Sequence, residues 1–204
     1  MENLAGYLRD EGHEVRTPAY RYHDPSPSVA DQSKLIGLSI ADYVEDIAAT
    51  IAPDAKPVLI GHSLGGVVAQ ALAARGLASA VVLLNGSVNW GILPTTSEER
   101  ALFKGLMSAG PFWETTLLPD FATMAKFGLN KLPEAEQRAV FDKLGPESGR
   151  VMFELFFWMF DENATTRIDY DAIKCPVLSI SGSEDLAIPP STSRLISAKH
   201  PRGT

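Results

Sequence analysis

The stretch Pro57-Val58-Leu59-Ile60-Gly61-His62-Ser63-Leu64-Gly65-Gly66-Val67-Val68-Ala69-Gln70-Ala71-Leu72-Ala73 decides how this chain is read. Its first four residues are a short apolar run with β-branched members, and beyond Gly66 apolar groups recur at Val67, Val68, Ala71 and Leu72. Together these patterns predict a strand, a tight turn and a buried helix. The turn carries a serine. Glycine at 61 and 65 is expected to leave room where a Cβ would collide, so that the backbone reverses sharply and holds Ser63 in a strained conformation with its hydroxyl out of the sheet. The helix that follows aims its first amides and positive dipole end at Ser63, and Leu64 N–H is placed to bind a developing oxyanion. A five-residue Gly-x-Ser-x-Gly pattern also arises by chance in ordinary strand-to-helix turns, so its weight comes from lying between a strand and a helix. A phosphate-cradling loop is excluded because no lysine follows the glycines.

Composition bounds the rest. With 204 residues, 45% of them hydrophobic and 21% charged, the chain can bury one sizeable core with an insertion. A net charge of -7 without a basic cluster argues against a nucleic-acid partner or an anionic membrane surface. The single cysteine, Cys175, cannot form an internal disulfide, lacks zinc-type spacing and reads as packing at the start of a strand. No run reaches spanning length, so no stable membrane insertion is expected, and the amino terminus lacks a signal-type apolar region. That favours the cytoplasm, unless a missing amino end carried a signal. The oligomeric state is left open.

In chain order, Leu4, Tyr7 and Leu8 share one face of a helix that Gly12 ends, and residues 13 to 17 read as a strand closed by Pro18. A connection over 19 to 38 leads to a helix from about Ser39 with Ile40, Val44, Ile47 and Ile51 inward. After the elbow helix, to about Arg75, residues 80 to 84 form another apolar strand. Helix and strand alternate, which predicts an α/β fold with a mostly parallel sheet and helices on both faces. From 89 to 171 the alternation stops: helices broken at prolines, rich in Phe, Met and Trp, make an insertion without a clear strand. Within it, Val151 to Phe160 reads as one helix, apolar all round and buried, whose aromatics serve packing, a substrate cavity, or both. Alternation resumes with the strand Pro176 to Ser181, the turn Gly182-Ser183-Glu184-Asp185 and a helix from about Pro190 to Ala198. Asp185 therefore falls just past the carboxyl end of a parallel strand, on the same sheet edge as Ser63. The bland alternative is a solvated loop carboxylate.

The elbow Gly61-His62-Ser63-Leu64-Gly65-Gly66, the helical insertion, and Pro176-Val177-Leu178 leading to Gly182-Ser183-Glu184-Asp185 resemble the α/β-hydrolase superfamily, in its cap-bearing group of esterases and lipases. The resemblance covers nearly the whole chain. It implies Ser63 as nucleophile, Asp185 as the acid that orients a histidine, Leu64 N–H as half of the oxyanion hole, and no metal or organic cofactor. It further implies a core of residues 1–88 and 172–204, a lid of 89–171, and a small-molecule acyl substrate. Alternatives on this fold are a non-catalytic small-molecule-binding protein, or another triad reaction such as C–C hydrolysis, perhydrolysis or acyl transfer.

Two departures from that pattern stand out. The family's histidine follows a last strand, whereas here His200 precedes any such strand and His13, His23 and His62 lie elsewhere, so no catalytic base is assigned. The strand that carries the second oxyanion donor, central in the family's sheet, would precede residue 1. A central strand of about 5–6 residues leaves two rows of backbone groups at about 1–3 kcal/mol each if buried unpaired, against about 5–15 kcal/mol for a whole domain. The expectation is a fragment of a longer polypeptide that is nearly inactive alone; direct pairing of the flanking strands and something else filling the slot are the other resolutions.

Overall fold

The computed structural model describes residues 2–23, 32–108 and 110–200. Helix α1 (Glu2–Asp10) ends where Gly12 turns left-handed (φ +88) and His13 N–H returns to the Leu8 carbonyl at 3.0 Å. The expected strand at 13–17 does not form. Those residues run without ladder bonds, and His13, Glu14, Arg16 and Thr17 are exposed. A strand exists only through its neighbour, and among the described residues none stands beside this segment. Of the connection that follows, residues 24–31 lie outside the described residues.

Helix α2 (Ile40–Ala48) begins at a capping box: Ser39 Oγ accepts from Ala41 N–H and the Asp42 carboxylate accepts Ser39 N–H at 2.9 Å. It buries Ile40, Tyr43 and Val44. Strand β1 (Val58–Ser63) runs directly into α3 (Leu64–Ala74), and β2 (Ala80–Gly86) follows. Next come α4 (Ser97–Met107), β3 (Thr116–Leu117), α5 (Phe121–Phe127), α6 (Glu134–Phe141), β4 (Glu147–Ser148) and α7 (Gly149–Phe156). Strand β5 (Val177–Ile180) and α8 (Pro190–Ser197) close the described chain. The 89–171 stretch is helical as expected, except that β3 and β4 pair as a two-residue antiparallel ribbon.

The main sheet has the order β1-β2-β5 with both pairings parallel. Leu59, Val81 and Val177 stand side by side, as do Gly61, Leu83 and Ser179. Val81, Leu83 and Val177 are buried on the face that α3 covers with Val67, Val68 and Leu72. Coverage of the two faces is unequal: Val58, Leu178 and Ile180 point the other way and are 55%, 44% and 49% exposed.

The apolar run at 151–160 is not one helix. Chain α7 leaves the helical conformation at Phe157 (φ -118, ψ 32), and Trp158–Phe160 is a separate 3-10 turn with Phe160 exposed. Two polar requirements break it. Trp158 Nε1–H reaches the Ile92 carbonyl at 3.1 Å, and the Asp161 carboxylate turns the chain by accepting the N–H groups of Asn163 and Thr165. Glu154 is buried inside α7 and is engaged by Arg150, Ser39 and Ile40.

Candidate active site

Ser63 is the last residue of β1 and the residue from which α3 starts, with φ 50 and ψ -121. A non-glycine residue there stores roughly 1–3 kcal/mol of backbone strain. Close packing of the elbow sustains it. A Cβ on Gly61 would overlap the Gly65 carbonyl and come within 2.7 Å of Gly66 N, and one on Gly66 would lie 2.9 Å from Gly86 Cα. The required glycines are thus 61 and 66. Gly65 departs from the sequence expectation, because a Cβ there would meet only the Tyr20 hydroxyl at 3.7 Å, an ordinary contact. Ser63 is half-buried, its side chain does not cap α3, and its carbonyl accepts Ser87 N–H at 3.0 Å. Leu64 is the first residue of α3, so its N–H is one of the helix's free amino-end donors.

Asp185 sits in the turn after β5, where its N–H meets the Gly182 carbonyl at 3.3 Å. Its Oδ1 accepts the backbone N–H groups of Ala187 (2.8 Å) and Ile188 (2.7 Å). Its Oδ2 accepts Asn85 Nδ2–H at 2.7 Å. The neighbouring Glu184 points away, exposed and paired with Lys131 Nζ at 2.6 Å. Ser63 and Asp185 lie on the same carboxyl edge of the sheet, on opposite sides of the end of β2, their strands roughly 10 Å apart. Sequence reasoning did not pick out Asn85. The available signal was an Asn-Gly pair ending the apolar run of β2, since asparagine tolerates the left-handed region that Asn85 occupies (φ 44).

None of the described histidines hydrogen-bonds to Asp185. His13 and His62 are exposed. His23 faces Glu147 at 3.4 Å and the Tyr43 ring edge-on. His200 is buried below the elbow: its Nε2 lies 3.1 Å from Gln70 Oε1, and its ring meets Tyr170 at 5.0 Å. Gln70 in turn donates to the Gly66 carbonyl and accepts from Asn89, whose Oδ1 accepts the Tyr170 hydroxyl. Burial holds His200 down to about 4 and pushes Tyr170 up to about 12, so this network is neutral near pH 7. An open cleft of about 510 Å³ lined by Trp113, Arg150, Phe153 and Phe160 includes neither Ser63 nor Asp185. Among the described residues no group of three or more His, Cys, Asp or Glu could hold a metal ion, and no helix is long and apolar enough to cross a membrane.

A parallel sheet whose carboxyl edge carries a strained serine before a helix and a hydrogen-bonded aspartate after a later strand defines a hydrolase-type α/β architecture. The model of the alpha/beta hydrolase family matches residues 1–204, and the chain belongs to that family. No curated protein matches it significantly in sequence. Among solved structures, an extracellular alpha/beta-hydrolase from a Paenibacillus species is similar at 20% identity and a TM-score of 0.65, over 94% of this chain and 75% of that one. A monoacylglycerol lipase from Paleococcus ferrophilus is similar at 26% identity and a TM-score of 0.53, over 80% of this chain and 62% of that one. A methylesterase from Arabidopsis shares 15% identity at a TM-score of 0.67, over 98% of this chain and 79% of that one.

Proposed function

We propose that the protein is a serine hydrolase of carboxylic esters or related small acyl compounds, with Ser63 as nucleophile and Asp185 as the acid that orients a histidine. The single observation carrying this is Ser63 itself, a non-glycine residue held at φ 50 at the head of α3 with its hydroxyl uncommitted to the helix. In the reaction, the base takes the Ser63 proton as Oγ bonds to the acyl carbon, and the oxyanion gathers on Leu64 N–H and a second donor. The alcohol leaves with a proton from the base, and water then releases the acyl group. The similarity to a monoacylglycerol lipase and to a methylesterase supports the ester class.

Residues 89–171 act as the lid over this edge in our reading, and residues 1–88 and 172–204 as the core. The base is a histidine other than the four placed here, so these residues alone turn over little substrate. A fluorophosphonate that modifies Ser63 in a polypeptide carrying that base, but not in a Ser63→Ala variant, tests the nucleophile. Vigorous Ser63-dependent release of nitrophenol by residues 1–204 alone would defeat the part concerning the base. Tight small-molecule binding with an unreactive Ser63 would favour a binding protein instead, and a substrate panel separates ester cleavage from C–C hydrolysis, perhydrolysis and acyl transfer.

A further inference from the structure

The β1–β2 ladder skips one residue. His62 pairs with Leu84 and Ser63 with Gly86, which leaves Asn85 as a bulge at φ 44. A bulge re-aims the side chain of its extra residue, and this one turns the carboxamide toward the loop after β5. Asn85 Nδ2 donates to Asp185 Oδ2 at 2.7 Å and reaches toward the Ile188 carbonyl at 3.5 Å, while its Oδ1 accepts Gly182 N–H at 3.2 Å. One side chain therefore grips the beginning, middle and end of the 182–188 turn.

We propose that Asn85 is a positioning residue for the Asp185 carboxylate, fixing the rotamer that presents Oδ2 to the base; this rests on the reading of Ser63 and Asp185 given above. The two oxygens of Asp185 are not equivalent. Oδ1 is occupied by two backbone N–H groups, whereas among the described residues Oδ2 accepts only from Asn85 and keeps an acceptor direction free. An amide suits the post because it donates to the anion and never competes for the proton. A carboxylate of the same shape would repel it.

Free imidazole, added as the base, makes the proposal measurable in this chain. Imidazole takes the Ser63 proton, Oγ bonds to the carbonyl carbon of 4-nitrophenyl acetate, and nitrophenolate leaves; imidazole-assisted water then releases acetate. The Ser63→Ala rate is subtracted as the blank. Asn85→Gly keeps the left-handed backbone at no steric cost and removes the side chain's hydrogen bonds with Asp185, Gly182 and Ile188, the first of them to a charged acceptor, so kcat falls about 10- to 100-fold with KM changed less than about twofold. Asn85→Asp preserves shape and backbone and lowers kcat at least as far. Wild-type kcat in Asn85→Asp overturns the proposal, because shape alone would then suffice. If Ser63 fails to react in the wild type, the functional reading is what fails. Whether Asn85 holds the Asp185 carboxylate is decided separately by the urea unfolding free energies of Asn85→Gly, Asp185→Ala and the double variant: coupling supports that grip, and additivity overturns it and the proposal with it.

Discussion

The Glu154 carboxylate accepts the backbone N–H of Ile40 at 2.8 Å, so a side chain from α7 caps the amino end of α2, 114 residues away in sequence. The same Oε2 accepts Ser39 Oγ–H at 2.9 Å, and Oε1 holds Arg150 Nε at 2.8 Å. Glu154 is 1% exposed, and what stabilises its charge there is the helix end together with the arginine. Removing it strands a buried N–H. Glu154→Ala is expected to destabilise by about 3 kcal/mol and Glu154→Gln by about 1 kcal/mol, read by urea unfolding. Equal losses for the two would show that the negative charge facing Arg150, rather than the acceptor that glutamine retains, is at stake.

Gly61 and Gly65 flank Ser63 symmetrically in sequence but not in space. Gly61→Ala drives a Cβ into backbone that cannot move aside and should cost about 3 kcal/mol or more, or yield no folded protein. Gly65→Ala meets only an ordinary contact on a helical residue and should change stability by less than about 1 kcal/mol. Thermal melts of the pair of variants give the comparison directly.

The strain at Ser63 has its own signature. Ser63→Gly releases it and Ser63→Ala does not, so the glycine variant should be the more stable of the two by about 1 kcal/mol. Both lose the hydroxyl, and neither should react with a fluorophosphonate. A glycine variant less stable than the alanine one would mean that the backbone at 63 is unstrained.

Stability should also fall on acidification in a window set by His200. Burial depresses its folded-state value to about 4 from an ordinary 6.5. The unfolded chain therefore binds the proton first, so this contribution is complete above about pH 6.5 and is lost as the pH drops toward about 4. His200→Gln keeps an N–H donor for Gln70 and should flatten that part of the profile, measured as unfolding free energy against pH.

Local signals made most of the framework legible. The run Val58 to Ile60, the glycines around Ser63 and the apolar period after Gly66 fix β1 and α3 because their pattern is carried within a few residues. Ser39 followed by Asp42 marks the start of α2 for the same reason. The segment 13–17 misled because strand character depends on a neighbour that composition does not reveal. Val151 to Phe160 misled because the apolar run hides an indole N–H whose acceptor, the Ile92 carbonyl, is remote in sequence. Asn85 was missed because its bulge belongs to the relation between two strands, and the Asn-Gly pair that ends β2 signals only a left-handed residue.

That skipped residue sets what kind of mutation the site can absorb. Asn85 is the residue the ladder leaves unpaired, so excising it would join Leu84 to Gly86 in an unbroken ladder against His62 and Ser63 without moving the register beyond. Ser87 and Val88, both 0% exposed, would stay buried, and the Ser87 amide would keep its grip on the Ser63 carbonyl. Deletion here would straighten β2 and spare the elbow, and what the molecule would forfeit is the carboxamide that reaches across from β2 to the 182–188 turn.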